Sequence, residues 1–202
     1  MGYSAAEQSA LLRVAYASIA AGLLTGKPLT INVADYPSPL TEKRASFVTL
    51  TQDRVLRGCI GSLEACRMLV EDVARNAFAA AFRDPRFPPL EQQELGALDI
   101  AVSVLGSPEP VVFASEQELL AGLQPGIDGL ILQEQDKRGT FLPSVWESLP
   151  RPEDFLNHLK MKAGLPVGYW SRSVRVWRYT TESFSAPARQ AGRSADPGLS
   201  AG

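Results

Sequence analysis

The chain has 202 residues, 45% of them hydrophobic, and its 20 basic and 22 acidic side chains leave a formal charge of −2. Such a chain reads as a soluble globular protein able to bury a core in one domain or two small lobes. Near-balanced charge gives no global reason to bind nucleic acid, and the two cysteines are too few for the disulfide framework of a small secreted domain.

The first apolar run, LLRVAYASIAAGLL, contains Arg13 and lacks the basic start of a secretory signal. It is also too short and too weakly apolar to span a bilayer, so a cytoplasmic protein with no membrane role is expected. Ser4 to Glu7 reads S-x-x-E, a capping box, and Leu11, Leu12, Ala15, Ile19 and Leu23 recur at helical spacing, which predicts a helix ending near Gly22 or Gly26. The following GLLTGKP is one residue short of a phosphate loop and has Pro28 where a magnesium-binding hydroxyl belongs, so no nucleotide site is expected there. ASFVTLT and RVLRGCIG have strand composition, and Gln52-Asp53 between them predicts a hairpin. MLVEDVARNAFAAAF predicts a helix stopped by Pro85.

LDIAVSVLG predicts a strand, SEQELLAGL a short capped helix, and Asp128-Gly129 a turn into the strand LILQ. The polar EQDKRG separates LILQ from TFLP in a second hairpin. PEDFLNHLKMKAG reads as a helix with a C-terminal glycine and SVRVWRYT as a last strand. Nothing beyond builds a core, so a domain over 1–184 followed by a flexible tail over 185–202 is expected. Strand runs and hairpins interrupted by single helices favour an α+β fold over a doubly wound parallel sheet.

In LRGCIG, residues 56–61, two glycines flank a cysteine. Strict alternation places Leu56, Gly58 and Ile60 on one face and Val55, Arg57, Cys59 and Gly61 on the other. On this reading Leu56 and Ile60 enter the core, Arg57 and Cys59 lie side by side, and the glycines leave room for close approach to the backbone. A fixed positive charge near a thiol favours the thiolate, the nucleophilic and metal-binding form. Cys59 therefore reads either as a reactive, catalytic thiol or as a small buried apolar residue. His158, the only histidine, is either a base for Cys59 or an ordinary residue of an amphipathic helix.

RDPRFPPL stiffens Asp84 and Arg86 between prolines. That loop either presents Arg86 to an anionic ligand or uses an Asp–Arg pair to lock a helix exit, with Phe87 and Leu90 plugging the core. SRSVRVWRY interleaves Arg175, Trp177 and Tyr179, which reads either as a platform for nucleobases or as an edge strand guarded by charge. Asp128, Glu134 and Asp136 are expected in turns.

LRGCIG, DPRFPPL, LDIAVSVL followed by PEP, GIDGLIL, GTFLPSVW and KAGLP with Trp170 after it occur in that order, roughly from Phe47 to Phe184. In these blocks the chain resembles the AMMECR-type domain family, also known as protein A of the AmmeMemoRadiSam system. The resemblance implies an α+β fold with a larger and a smaller lobe, a cleft between them and the hexapeptide near that cleft. It also implies the company of a Memo-like protein, related to extradiol dioxygenases, and of a radical-SAM protein. One departure is Lys160, where many prokaryotic relatives carry cysteine.

Two cysteines cannot supply the three closely spaced ligands of a radical-SAM cluster, and one histidine cannot complete a two-histidine, one-carboxylate iron site. No cofactor is expected in this chain. It would bind a small molecule, a modified side chain or a nucleobase for its partners, contribute a nucleophile or positioning group, or hold the partners together. Cys59 is the candidate catalytic residue, and Arg57, Gly58, Ile60, Gly61, Asp84, Arg86 and Phe87 form the candidate binding motif. A non-catalytic adaptor or a nucleic-acid-binding module is the alternative, and whether the chain is itself an enzyme is left open.

Overall fold

The computed structural model describes residues 2–193. In chain order its elements are α1 (Ala5–Thr25), α2 (Ser38–Thr41), β1 (Ser46–Gln52), β2 (Val55–Gly61), α3 (Leu69–Phe82), β3 (Leu98–Leu105) and β4 (Glu109–Pro110). Then come α4 (Glu116–Gly122), β5 (Gly129–Glu134), β6 (Lys137–Phe141), α5 (Pro152–Lys162), β7 (Arg175–Tyr179), β8 (Thr181–Pro187) and α6 (Ala188–Ala191). The chain divides into two units: the residues up to Val104 together with those from Glu182 onward, and Leu105–Thr181. Helices packed on antiparallel strands make the fold α+β.

In the first unit, α1 starts at the capping box read from the sequence. Glu7 Oε2 accepts the Ser4 N–H at 2.7 Å and Ser4 Oγ accepts the Glu7 N–H at 3.3 Å. The helix ends at Gly26, whose φ of 70° is the left-handed cap that glycine adopts without strain. The sheet order is β2-β1-β3-β8, with β1 antiparallel to β2 and β3. α3 packs on β1 and β2, and α1 packs on α3. Their shared core includes Leu11, Ile19, Val48, Leu50, Val73, Ala77, Ile100 and Val102. Each of the Leu, Ile and Val side chains contributes about 1.5–3 kcal/mol on burial.

A buried polar knot ties this core to the ends of the hairpin. Asp72, in the first turn of α3, accepts the Ser46 N–H at 3.0 Å, the Ser62 hydroxyl at 2.8 Å and the Asn76 amide at 2.9 Å. The start of β1 and the residue after β2 are thereby held to one helix.

The second unit has the sheet order β4-β7-β5-β6, antiparallel throughout. α4 and α5 bury Leu119, Phe155, Leu156 and Leu159 against Leu130, Leu132 and Val176. Trp146 stacks on Phe155 with ring centroids 3.8 Å apart and donates its indole N–H to the Asp128 carbonyl at 2.7 Å.

Three expectations are corrected. The tail does not begin at 185: β8 runs to Pro187 and α6 buries Ala188 and Ala191 in the first core, while 194–202 lie outside the described residues. EQDKRG is not a loop: only Gln135 and Asp136 link β5 to β6, with Gln135 at φ 55°, and Glu134 is a buried strand residue. Its Oε1 accepts the hydroxyls of Tyr169, Ser171 and Ser173, which hold that carboxyl below its ordinary range against burial. The first hairpin turns one residue later than expected, at Asp53-Arg54.

Among the described residues no helix is long and apolar enough to cross a membrane.

Candidate functional site around the hexapeptide

Asp53 and Arg54 have φ of 52° and 65°, the paired left-handed conformation of a two-residue hairpin turn whose twist matches the strands. From that turn Gln52 pairs with Val55 and Thr51 with Leu56, but Leu50 then pairs with Gly58. Arg57 is thus the extra residue of a β-bulge, which re-aims its side chain and shifts everything beyond it by one position. Thr49 faces Cys59, Val48 faces Ile60, and Phe47 faces Gly61.

The bulge overturns the simple alternation. Gly58 and Ile60 do share the face of the core residues Leu50 and Val48, but Leu56 pairs with Thr51 and is 38% exposed. Arg57 is not a charge placed beside the thiol. Its guanidinium forks onto Glu94, Nε to Oε1 at 2.7 Å and Nη2 to Oε2 at 3.0 Å, and Nη1 donates to the Pro88 carbonyl at 3.0 Å. Arg57 holds the Glu94 carboxyl below its ordinary range, with burial opposing. Sequence reading missed Glu94, 37 residues away, because only the bulge directs Arg57 toward it.

β2 is an edge strand, so the outward N–H and C=O of Cys59 would be open to another chain. The DPRFPPL loop closes them. The Cys59 N–H donates to Asp84 Oδ2 at 2.8 Å, and Arg86 Nη2 donates to the Cys59 carbonyl at 3.2 Å. Arg86 also forks onto Asp84, Nη2 to Oδ2 at 2.7 Å and Nε to Oδ1 at 2.9 Å. Asp84 is buried, and the Arg86 hydrogen bonds above all, helped by the N–H groups of Cys59 and Arg86, hold its carboxyl well below the usual range against burial. Arg86 is raised in turn, chiefly by Asp84, with Cys59 a smaller contributor. Of the two readings of this loop, the geometry supports the lock. Leu90 is buried as expected, but Phe87 is only half-buried, with the Arg86 guanidinium 5.4 Å from its ring centroid.

The room left by the glycines is occupied by the protein itself. A Cβ on Gly58 would lie 2.1 Å from the Ala80 carbonyl oxygen of α3, and one on Gly61 would lie 2.2 Å from the Phe47 ring. The hexapeptide is therefore wedged between a helix backbone, an aromatic ring and a proline-stiffened loop.

Cys59 itself is half-buried, on the sheet face opposite Leu50 and Val48. Its Sγ lies 3.2 Å from Thr49 Oγ1. Among the described residues no imidazole or carboxylate hydrogen-bonds to this sulfur. The arrangement presents a thiol and a hydroxyl on an anchored backbone. Cys66 is exposed.

His158 is exposed on α5, and its Nδ1 donates to the Asp154 carbonyl at 2.8 Å. Tyr179 is buried, its hydroxyl donating to the Phe141 carbonyl at 3.0 Å, so its ring is no open stacking surface beside Arg175 and Trp177. Lys160 is buried, ion-pairs with Glu116 and lies 5.4 Å from the Trp170 ring centroid. Among the described residues no group of three or more His, Cys, Asp or Glu side chains is arranged to hold a metal ion.

Residues 12–184 match the family model described as AMMECR1. Protein MJ0810 of Methanocaldococcus jannaschii is 37% identical over 169 residues, covering 80% of this chain and 81% of that protein. A protein of Methanothermobacter thermautotrophicus is 36% identical over 184 residues, covering 88% of this chain and 93% of its own length. The crystal structure of uncharacterized protein PH0010 from Pyrococcus horikoshii superposes with a TM-score of 0.80 at 36% identity, covering 88% of this chain and 90% of that one. The chain belongs to the AMMECR1 family.

Proposed function

We propose that this chain is the substrate- or ligand-binding component of a cytoplasmic modification system whose redox chemistry resides in a Memo-like protein and a radical-SAM protein, with the Cys59 thiol as its contact group. The observation that carries this reading is the mounting of Cys59. Both of its backbone groups are anchored by the Asp84–Arg86 pair, while the residue is only half-buried and its Sγ lies beside Thr49 Oγ1. A contact group held in one geometry before binding lowers the ordering cost of the complex. Reconstitution with the two partner proteins tests it. Cys59→Ser and Cys59→Ala should abolish partner-dependent product formation while leaving the unfolding midpoint close to that of the parent, and a fully active Cys59→Ala would overturn the role of the thiol.

A second reading, a non-catalytic adaptor with a structural hexapeptide, is favoured by the filled space at Gly58 and Gly61. Under it Cys59→Ala keeps function, and substitutions in the motif act only through stability. The nucleic-acid alternative has less support, because Tyr179 is buried. Salt-dependent binding lost on Arg175→Ala would revive it.

A further inference from the structure

Within the second unit, PEP and GIDGLIL meet at a pocket of about 240 Å³ that the hexapeptide does not touch. Glu109 comes from β4, Ile127 and Asp128 from the segment before β5, Arg178 from the end of β7 and Thr180 from the link to β8. The volume falls below the roughly 300–1,000 Å³ of sites for drug-sized ligands, so the fitting class is a small metabolite.

The charges around the pocket narrow the chemistry. Asp128 is 2% exposed and fixed in place: its Oδ2 accepts the Gln124 N–H at 2.8 Å and its carbonyl is held by Trp146. Arg178 Nη1 forms a loose ion pair with Asp128 Oδ2 at 3.9 Å, beyond hydrogen-bonding distance, and its side chain makes no hydrogen bond among the described residues. Its planar fork of donors is therefore available to a carboxylate. Glu109 is the cross-strand neighbour of Arg178 and has no ion pair or side-chain hydrogen bond among the described residues. Two carboxylates and one guanidinium thus line one small space. A simple anion there would face both acids, and a simple cation would face the arginine. A zwitterion satisfies all three groups.

We propose that this pocket binds a free α-amino acid, its carboxylate on Arg178 and its ammonium between Glu109 and Asp128. Ile127, 52% exposed, offers the side chain an apolar contact, which suits a short aliphatic residue. The site is independent of Cys59 and stands or falls apart from it.

The test is an NMR titration of the full chain with L-alanine, L-valine and L-serine, each beside its N-acetyl and methyl-ester derivative. The expected result is saturable shifts confined to amides around Asp128 and Thr180, with a Kd between about 1 μM and 1 mM for at least one free amino acid. Either cap should abolish those shifts, and Arg178→Gln and Glu109→Gln should each weaken binding at least about tenfold. Glu109 is exposed, so Glu109→Gln keeps the fold even if Arg178→Gln does not. No shift up to about 10 mM, equal binding of a capped derivative, or full affinity in Glu109→Gln overturns the proposal.

Discussion

Alanine at position 58 would put a methyl group where the backbone of α3 already lies. Its Cβ would fall 2.1 Å from the Ala80 carbonyl oxygen and 3.0 Å from the carbonyl carbon, and real Cβ contacts essentially never come inside 3.0 Å. The obstacle is backbone inside a helix, so no rotamer change relieves it; β2 or the last turns of α3 must move apart by more than about 1 Å. Overpacking where side chains can adjust costs about 1–3 kcal/mol, and a backbone obstacle belongs at the upper end, about 3 kcal/mol. For a chain of this length that lowers Tm by about 6–12 °C. Calorimetry and denaturant unfolding measure it, with Gly96→Ala as the control in the same unit, because a Cβ there meets nothing within 4 Å. Gly96→Ala should stay within about 0.5 kcal/mol of the parent. If Gly58→Ala is as stable as Gly96→Ala, the hexapeptide is not wedged against α3 and the packing account fails.

Asp84 links stability to acid. Its folded carboxyl titrates below the unfolded value of about 3.9, so its contribution is complete above about pH 5 and is lost as pH falls below that unfolded value. Asp84→Asn should lower the denaturation midpoint at pH 7 and flatten the acid limb; an unchanged limb would mean that Arg86 and the Cys59 N–H do not hold the carboxylate. Lys160 is 1% exposed, so Glu116→Gln strands a buried ammonium and should cost about 3 kcal/mol, whereas Lys160→Met removes the charge, keeps the stem and should cost less than about 1.5 kcal/mol. The reverse order of denaturant midpoints would contradict this. Tyr179 is pushed up to about 12 by burial, so its contribution is complete below the unfolded value of about 10 and fades as pH rises through the window between them. Tyr179→Phe should flatten the alkaline limb of stability against pH.

Local signals carried much of this fold. The S-x-x-E box of α1, the Pro85 stop of α3 and the apolar runs of β3 and β5 are contained within each segment, and each is legible. What was hidden depends on contacts between distant segments. α6 is too short and too alanine-rich to announce itself, and it exists because the first core accepts Ala188 and Ala191. The bulge at Arg57 leaves no mark in composition, yet it decides the site: counted back from the turn without it, Thr49 would face Gly58 rather than Cys59. The Arg57 partnership with Glu94 was not legible, because it depends on that bulge.

On the function proposed above, a rigidly mounted Cys59 thiol is the surface that a Memo-like and a radical-SAM protein would meet. Site-resolved alkylation of the folded protein, with and without the Memo-like and radical-SAM proteins, tests it most directly, using the exposed Cys66 as internal reference. The account predicts that Cys59 is alkylated in the folded chain, more slowly than Cys66, and that the partners protect Cys59 while leaving Cys66 reactive. A Cys59 that is inert until the chain unfolds, or one whose rate the partners do not change, would contradict it.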